Sequence, residues 1–143
     1  MKPTLTHIAL HVRDLEACVA FYRDYCGLVI VHERSHEDVK QVVWLAEDPE
    51  RHDFIFVLLK GGPGRDQEKE DYSHLGFACP SKQAVDVIAA KARAAGCLIW
   101  EPRAEPYPTG YYCGIRDPDG NAVEFSFGQP LGPGAAVIGW PES

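Results

Sequence analysis

The chain has 143 residues, enough for one domain with a sizeable core and too few for two ordinary ones. Its composition is that of a globular protein, and a formal net charge of -7 with no basic cluster argues against nucleic acid or an anionic membrane as the main partner. No apolar run reaches bilayer length, the start MKPTLTHIAL carries no signal-peptide pattern, and the five cysteines include no C-x-x-C pair, so a cytoplasmic protein with reduced thiols is expected.

In chain order, Thr6-His7-Ile8-Ala9-Leu10 opens a first strand that runs through Val12. Asp14 is placed to cap the helix that follows, in which Leu15, Val19, Tyr22 and Cys26 recur at helical spacing and Gly27 stands as the C′ residue. Three β-type runs come next: Leu28 to His32, Gln41 to Ala46, and Phe54 to Leu59 after an Asp48-Pro49 turn. The Gly-, Pro- and charge-rich stretch Gly61 to Asp71 reads as a connector.

The pattern then repeats. Ser73-His74-Leu75-Gly76-Phe77 matches the first strand position by position: small hydroxyl, His, aliphatic, small, large apolar. Ser81 is the expected cap of a second helix, with Val85, Ile88, Ala92 and Ala95 as its apolar stripe and Gly96 as its stop. Runs at Leu98 to Trp100, Tyr111 to Ile115 and Ala122 to Phe127 follow, the last after an Asp117-Pro118 turn. The chain thus reads as one α+β domain of two tandem βαβββ modules, about 4–60 and 73–128, with a connector at 61–72 and a Gly/Pro-rich tail at 129–143.

Side chains at i and i+2 of a strand share a face. His7, Ala9 and His11 therefore oppose Ile8, Leu10 and Val12; His74, Gly76 and Ala78 oppose Leu75, Phe77 and Cys79; and Ala122, Glu124 and Ser126 oppose Val123, Phe125 and Phe127. Each time one face is apolar, while the other carries one metal-capable group among mostly small residues, which leaves room for an ion and a substrate. A carboxylate on an inner sheet face needs a compensating cation. His7, His74 and Glu124 are accordingly the expected ligands of a divalent transition metal, a set that leaves positions open for water or substrate oxygens. The bland alternatives are hydrogen-bonded strand histidines, and a Glu124 paired with Arg116 or Arg103. His11 lies roughly 13 Å along the strand from His7 at ~3.3 Å per residue, too far to share an ion. His32, His36 and His52 read as surface residues.

T-H-I-A-L-H-V-R-D-L with F-Y-R-D-Y-C-G-L behind it, S-H-L-G-F, and R-D-P-D-G-N-A-V-E-F resemble the vicinal oxygen chelate superfamily over roughly residues 5–128. This superfamily includes glyoxalase I, extradiol ring-cleaving dioxygenases, fosfomycin-resistance transferases and bleomycin-resistance proteins. The resemblance implies a half-open, funnel-shaped mixed sheet with helices on its outer face. It also implies a divalent ion (Fe2+, Mn2+, Zn2+ or Ni2+) on His7, His74 and Glu124, chelated by adjacent oxygens of a small substrate. Asp117, Pro118, Asp119 and Gly120 match the turn before the last ligand strand. Glyoxalase I has a fourth ligand in the first module. Aligning the two Asp-Pro turns puts Ile55 opposite Glu124, with Phe56 or Val57 if the alignment slips by one or two residues. All three are apolar, so that ligand is absent.

Ring-cleaving relatives carry an acid-base histidine in this neighbourhood, where only His52 is close. Among Tyr111, Tyr112 and Tyr107, one is a candidate donor to an oxygen at the metal, as against an ordinary strand aromatic, and at most one of Tyr111 and Tyr112 lines the pocket. Arg103 and Arg116 are candidate anchors for an anionic substrate. The resemblance leaves open a glyoxalase-like lyase or isomerase, a ring-cleaving dioxygenase, a fosfomycin-type thiol transferase, and a metal-independent binder like the bleomycin-resistance proteins. It further implies a homodimer in which modules from two chains complete each site, with the tail and Trp140 as possible contacts.

Overall fold

The computed structural model describes residues 1–139; Trp140 lies outside them. The chain divides into two compact units, residues 1–66 and 67 onward, each built around a four-stranded mixed sheet. The first contains β1 (His7–Val12), α1 (Leu15–Asp24), β2 (Val29–His36), β3 (Val39–Ala46) and β4 (Ile55–Lys60). The second contains β5 (His74–Ala78), α2 (Lys82–Ala95), β6 (Leu98–Glu105), β7 (Gly110–Arg116) and β8 (Ala122–Phe127), followed by a 3-10 turn (Gly132–Gly134) and α3 (Ala135–Ile138). Strand order is β1-β4-β3-β2 in one sheet and β5-β8-β7-β6 in the other. In each sheet the first strand pairs in parallel with the last, and the other pairs are antiparallel. The tandem α+β repeat expected from the sequence is therefore present.

Local chemistry explains the helix starts. Asp14 is extended and its carboxylate accepts the Ala17 N–H at 3.0 Å, while Ser81 Oγ accepts that of Ala84 at 3.0 Å. Gly96 ends α2 in the left-handed region at φ 77°. The end of α1 differs from expectation: the cap is Tyr25, still right-handed, and the left-handed residue Gly27 follows two positions later. The Tyr25 ring packs 4.8 Å from that of Phe21, extending the last turn before the chain reverses.

Two strands run well beyond their apolar stretches. β2 continues to His36, where Glu37 and Asp38, with φ of 49° and 62°, make a two-residue hairpin into β3. Positive φ at both positions is the signature of the tight hairpin turn, here without the usual Asn-Gly. β6 likewise continues through Pro102 to Glu105. Both are sheet-edge strands, where polar side chains and proline are tolerated.

In the first unit, α1 covers one sheet face through Tyr22, whose ring centroid lies 4.6 Å from that of Phe56, above buried Val12, Val43, Leu45 and Leu58. Each such fully buried side chain contributes about 1.5–3 kcal/mol. The other face holds a second apolar cluster, Val42, Ala46, Ile55 and Val57. In the second unit, Val85, Ala89 and Ala92 of α2 sit against the sheet whose buried residues include Cys113, Ile115, Val123 and Phe125.

The Arg-Asp-Pro-Asp-Gly-Asn turn fixes the start of β8. Asp117 is buried and accepts from the Asp119 N–H (2.9 Å), the Asn121 N–H (2.8 Å) and Asn121 Nδ2 (3.0 Å). Asp48, the matching residue of the first module, is exposed and accepts from the Glu50 N–H at 2.7 Å. Asp117→Ala is expected to cost about 2–4 kcal/mol in urea unfolding because it strands buried donors, and Asp48→Ala under about 1 kcal/mol. Equal losses would refute this asymmetry.

Candidate metal centre

The parallel register of β5 on β8 sets Gly76 opposite Glu124, with His74 two residues earlier on the same face. A Cβ on Gly76 would lie 3.6 Å from Glu124 Oε2, so glycine leaves open space beside the carboxylate. Glu124 is only 7% exposed, while His74 is open to solvent. His74 Nε2 stands 3.8 Å from Glu124 Oε2.

The protonation of His74 follows from its other nitrogen. Nδ1 lies 2.8 Å from the carbonyl oxygen of Tyr72, which only accepts, so Nδ1 carries the proton and donates it. In the neutral ring the lone pair of Nε2 then faces a carboxylate oxygen. Two acceptors aimed at one another need a proton or a metal cation between them, and a backbone-anchored Nδ1–H is the usual outer support of a metal-bound histidine. Burial pushes the Glu124 carboxyl above the ordinary carboxylate range, with His74 and a long hydrogen bond from Gln129 (3.5 Å) pulling it partly back. Among the described residues no lysine or arginine neutralises it: Arg116 donates to the carbonyls of Gln67 (3.0 Å) and Gly120 (2.8 Å), and Arg103 pairs with Glu105. The donor set thus fits a divalent ion.

Sequence reasoning missed three residues that hold this pair in place. Gln67 is buried, donates to the carbonyls of Asp71 and Ser73 just before β5, and accepts the Ala122 N–H of β8 at 3.1 Å. Trp100 meets the His74 ring edge-on at 5.8 Å. Its indole fills the space above Gly114, where a Cβ would come within 2.2 Å, and Gly114 is the β7 partner of Glu124. A glycine in a strand facing a tryptophan from the paired strand was the available signal. Gln129, just past β8, was the third.

The tyrosines separate. Tyr112 pairs with Ser126 and so shares the Glu124 face, with the Arg103 guanidinium 5.9 Å from its ring. Tyr111 points the other way and donates to Asp86 of α2, which corrects its place among the candidates for the metal face. Tyr107 donates to the Gly139 carbonyl at 2.6 Å. Arg103 and Arg116 are engaged as described. Among the thiols, burial pushes Cys79 up and Cys113 up to about 12.

His7 belongs to the first unit, where it is exposed and its Nδ1 lies 2.9 Å from Thr6 Oγ1. It lines a cleft of about 500 Å³ on the face away from α1, floored by Ile55 and Val57 and walled by His32, Trp44 and His52. His32 and His52 thus line a cavity, which corrects their reading as ordinary surface residues. His11 instead bonds the Lys60 carbonyl at 3.2 Å, and His36 sits exposed beside Glu37. Among the described residues no three His, Cys, Asp or Glu side chains gather into a metal-binding group; the pair His74–Glu124 does meet.

The registers also locate the missing fourth ligand. Ala9, two residues after His7, pairs with Val57, just as Gly76, two residues after His74, pairs with Glu124. Val57 is therefore the counterpart of Glu124, and Ile55 that of Ala122. The sequence alignment slipped by two because the stretch from the Asp-Pro turn into β4 is longer than that into β8. The position is apolar, as expected.

Residues 4–125 match the Glyoxalase/Bleomycin resistance protein/Dioxygenase superfamily. An uncharacterized protein of Pseudomonas aeruginosa is 57% identical over 141 residues, covering 99% of this chain and 100% of the relative. The chain belongs to this family, the vicinal oxygen chelate superfamily. Among solved structures, it resembles a lactoylglutathione lyase from Agrobacterium tumefaciens at 25% identity and TM-score 0.62, over 92% of this chain and 98% of that one. A point mutant of the fosfomycin resistance protein FosX of Listeria monocytogenes, solved with Mn(II) and 1S,2S-dihydroxypropylphosphonic acid, shares the fold at 19% identity and TM-score 0.69, over 90% and 95%.

A raised carboxyl pKa has a definite sign in stability. The folded state holds its proton where the unfolded chain has released it, so metal-free protein loses stability as pH rises from the ordinary carboxylate value through the raised one. Glu124→Gln is expected to raise the melting temperature of EDTA-treated protein at pH 8, with the gain shrinking toward pH 4.5. A gain that grows on acidification would contradict this.

Proposed function

We propose that the protein is a divalent-metal-dependent enzyme of the glyoxalase/dioxygenase type, acting on a small substrate that binds the ion through adjacent oxygens. The observation that carries the reading is the Nε2 lone pair of His74 facing the buried carboxylate of Glu124, with the tautomer fixed by the Tyr72 carbonyl. His7 completes the proposed ligand set, and the reading includes a homodimer in which modules of two chains complete each site. A bound ion, be it Fe2+, Mn2+, Zn2+ or Ni2+, supplies Lewis-acid stabilisation of a developing oxyanion.

The chain's own residues then have assignable roles. His74 and Glu124 hold and orient, with Trp100 and Gln67 fixing them. Tyr112, on the same face, is the proposed hydrogen-bond donor to a substrate oxygen. The apolar Val57 leaves no second carboxylate for proton transfer, which disfavours glyoxalase I chemistry of the four-ligand kind. A metal-independent binder would need neither the buried carboxylate nor the anchored imidazole beside it. Among the described residues no helix is long and apolar enough to span a membrane. The odd number of cysteines, five with no C-x-x-C pair, supports a reducing, cytoplasmic location as part of the proposal.

The test is metal content and activity together. Dialysis against each ion should leave one per site, and His74→Ala or Glu124→Gln should weaken binding by more than the roughly 10–100-fold that loss of an outer partner costs. Tyr112→Phe should keep the metal but lower turnover roughly 100-fold, as loss of an oriented donor does. Hemithioacetal isomerisation and oxygen uptake with catechols by Fe(II)-loaded protein separate the subclasses. Sub-stoichiometric metal, with ligand binding unaltered in His74→Ala, would sink the enzyme reading.

A further inference from the structure

The cleft of the first unit holds a cation that the metal chemistry does not use. Paired residues divide its face into rows: Ala9, Val57, Trp44 and His32 form one, and His11, Leu59, Val42 and Arg34 the next. The floor is apolar and the Trp44 indole is 42% exposed against it, held edge-on by His32 at 5.4 Å. Arg34 lines the same cleft from the edge strand β2.

Arg34 has no carboxylate partner among the described residues, and its neighbours do not supply one. Glu33 pairs with Val43 in the register, which turns it to the α1 side, and it meets Lys40 at 3.4 Å. Asp53, also in the cleft, is held by Arg51 at 2.9 Å. Glu37 lies beside His36. On a chain of net charge -7, an uncompensated guanidinium at the rim of an apolar cleft with an exposed indole is a local exception.

We propose that this cleft binds the carboxylate end of an elongated, apolar-bodied anion, with Arg34 as its anchor and Trp44 as the platform for its flat or alkyl body. Guanidinium takes a carboxylate through two parallel hydrogen bonds, and an exposed tryptophan offers a rigid apolar face. About 500 Å³ is within the range of small-molecule sites. His7 lies on β1, three strand spacings from β2 and four residues from the Arg34 row, so the two ends are roughly 14 Å apart across the strands and ~13 Å along them. A ligand that also reached an ion at His7 would be long, with the anion at the far end from its chelating oxygens. That second end rests on the metal reading above; the Arg34 end does not.

Calorimetry with 4-phenylbutanoate, 4-phenylbutanamide and 4-phenylbutylamine on EDTA-treated and Mn(II)-loaded full-length protein tests the assignment. The carboxylate is expected to bind metal-free protein about tenfold or more tighter than the amide, with the amine weakest, as a charge-assisted pair requires. Arg34→Gln should erase that preference and Arg34→Lys keep part of it, with unchanged melting temperatures because Arg34 is exposed. Equal affinities for carboxylate and amide, a preference that survives Arg34→Gln, or no binding at millimolar concentration would overturn the proposal. Carboxylate binding that needs Mn(II) and ignores Arg34 would overturn it while leaving the metal reading standing. Arg34-dependent binding in a protein that takes up no metal would do the reverse.

Discussion

A carboxylate removed from water is stable only if something carries its charge, and the second module is organised around that constraint at Glu124. The parallel pairing of β5 with β8 brings Glu124 beside Gly76 and within reach of His74, whose own proton is committed to the Tyr72 backbone. The supporting contacts make sense as a frame for that pair. Gln67 ties the entry of β5 to the entry of β8, Asp117 closes the turn that starts β8, and Arg116 braces the same turn through the carbonyls of Gln67 and Gly120. These groups are rigid because they satisfy buried backbone donors and acceptors, and that is what an ion site needs from its surroundings.

The two modules share a topology and differ in what they place at equivalent positions. Where the second has Glu124, Gly114 and Trp100 in register across β8, β7 and β6, the first has Val57, Trp44 and His32 across β4, β3 and β2. The large aromatic has moved from the edge strand inward by one strand, and the carboxylate has become aliphatic. One face then suits an ion, the other an apolar body. A repeat whose copies diverge in this way explains how one fold supplies both a polar, oriented centre and a hydrophobic half-cleft without adding an element.

What the sequence revealed and what it hid have physical reasons. The helices were legible because Asp14 and Ser81 are true caps and because apolar residues recur at helical spacing. The alternation in β1 and β5 was legible because these strands have one packed and one open face, and in β8, buried on both faces, because a lone carboxylate stands among small residues on one of them, so His7, His74 and Glu124 stood out. The extents of β2 and β6 were not legible. Edge strands need not be apolar, and Glu37-Asp38 makes a tight hairpin that propensity would not choose. Gln67 was hidden in a connector, because nothing local distinguishes a glutamine that bridges two strand starts from one that faces water. The slip that set Ile55 against Glu124 has a similar origin. Turns anchor an alignment only when the loops beyond them are equal in length, and here only hydrogen-bond register reveals that they are not.

Those hidden segments matter because of where they lie. An edge strand has one side free of backbone pairing and is the least constrained part of a sheet, so it can exchange side chains without disturbing the ladder. The central strands β4 and β8 have neighbours on both sides, and their positions must satisfy a packed core on one face. A buried polar pair is therefore best held by an inner strand and its immediate partner, as with Glu124 on β8 and His74 on β5. Side chains at the rim are freer to vary, as with Arg34 on β2 and Arg103 on β6. The apolar pattern that identifies a fold is weakest along β2 and β6. A family can then be read from the core face of its strands, whereas the substrate is written on the polar edges, which only pairing partners and geometry reveal.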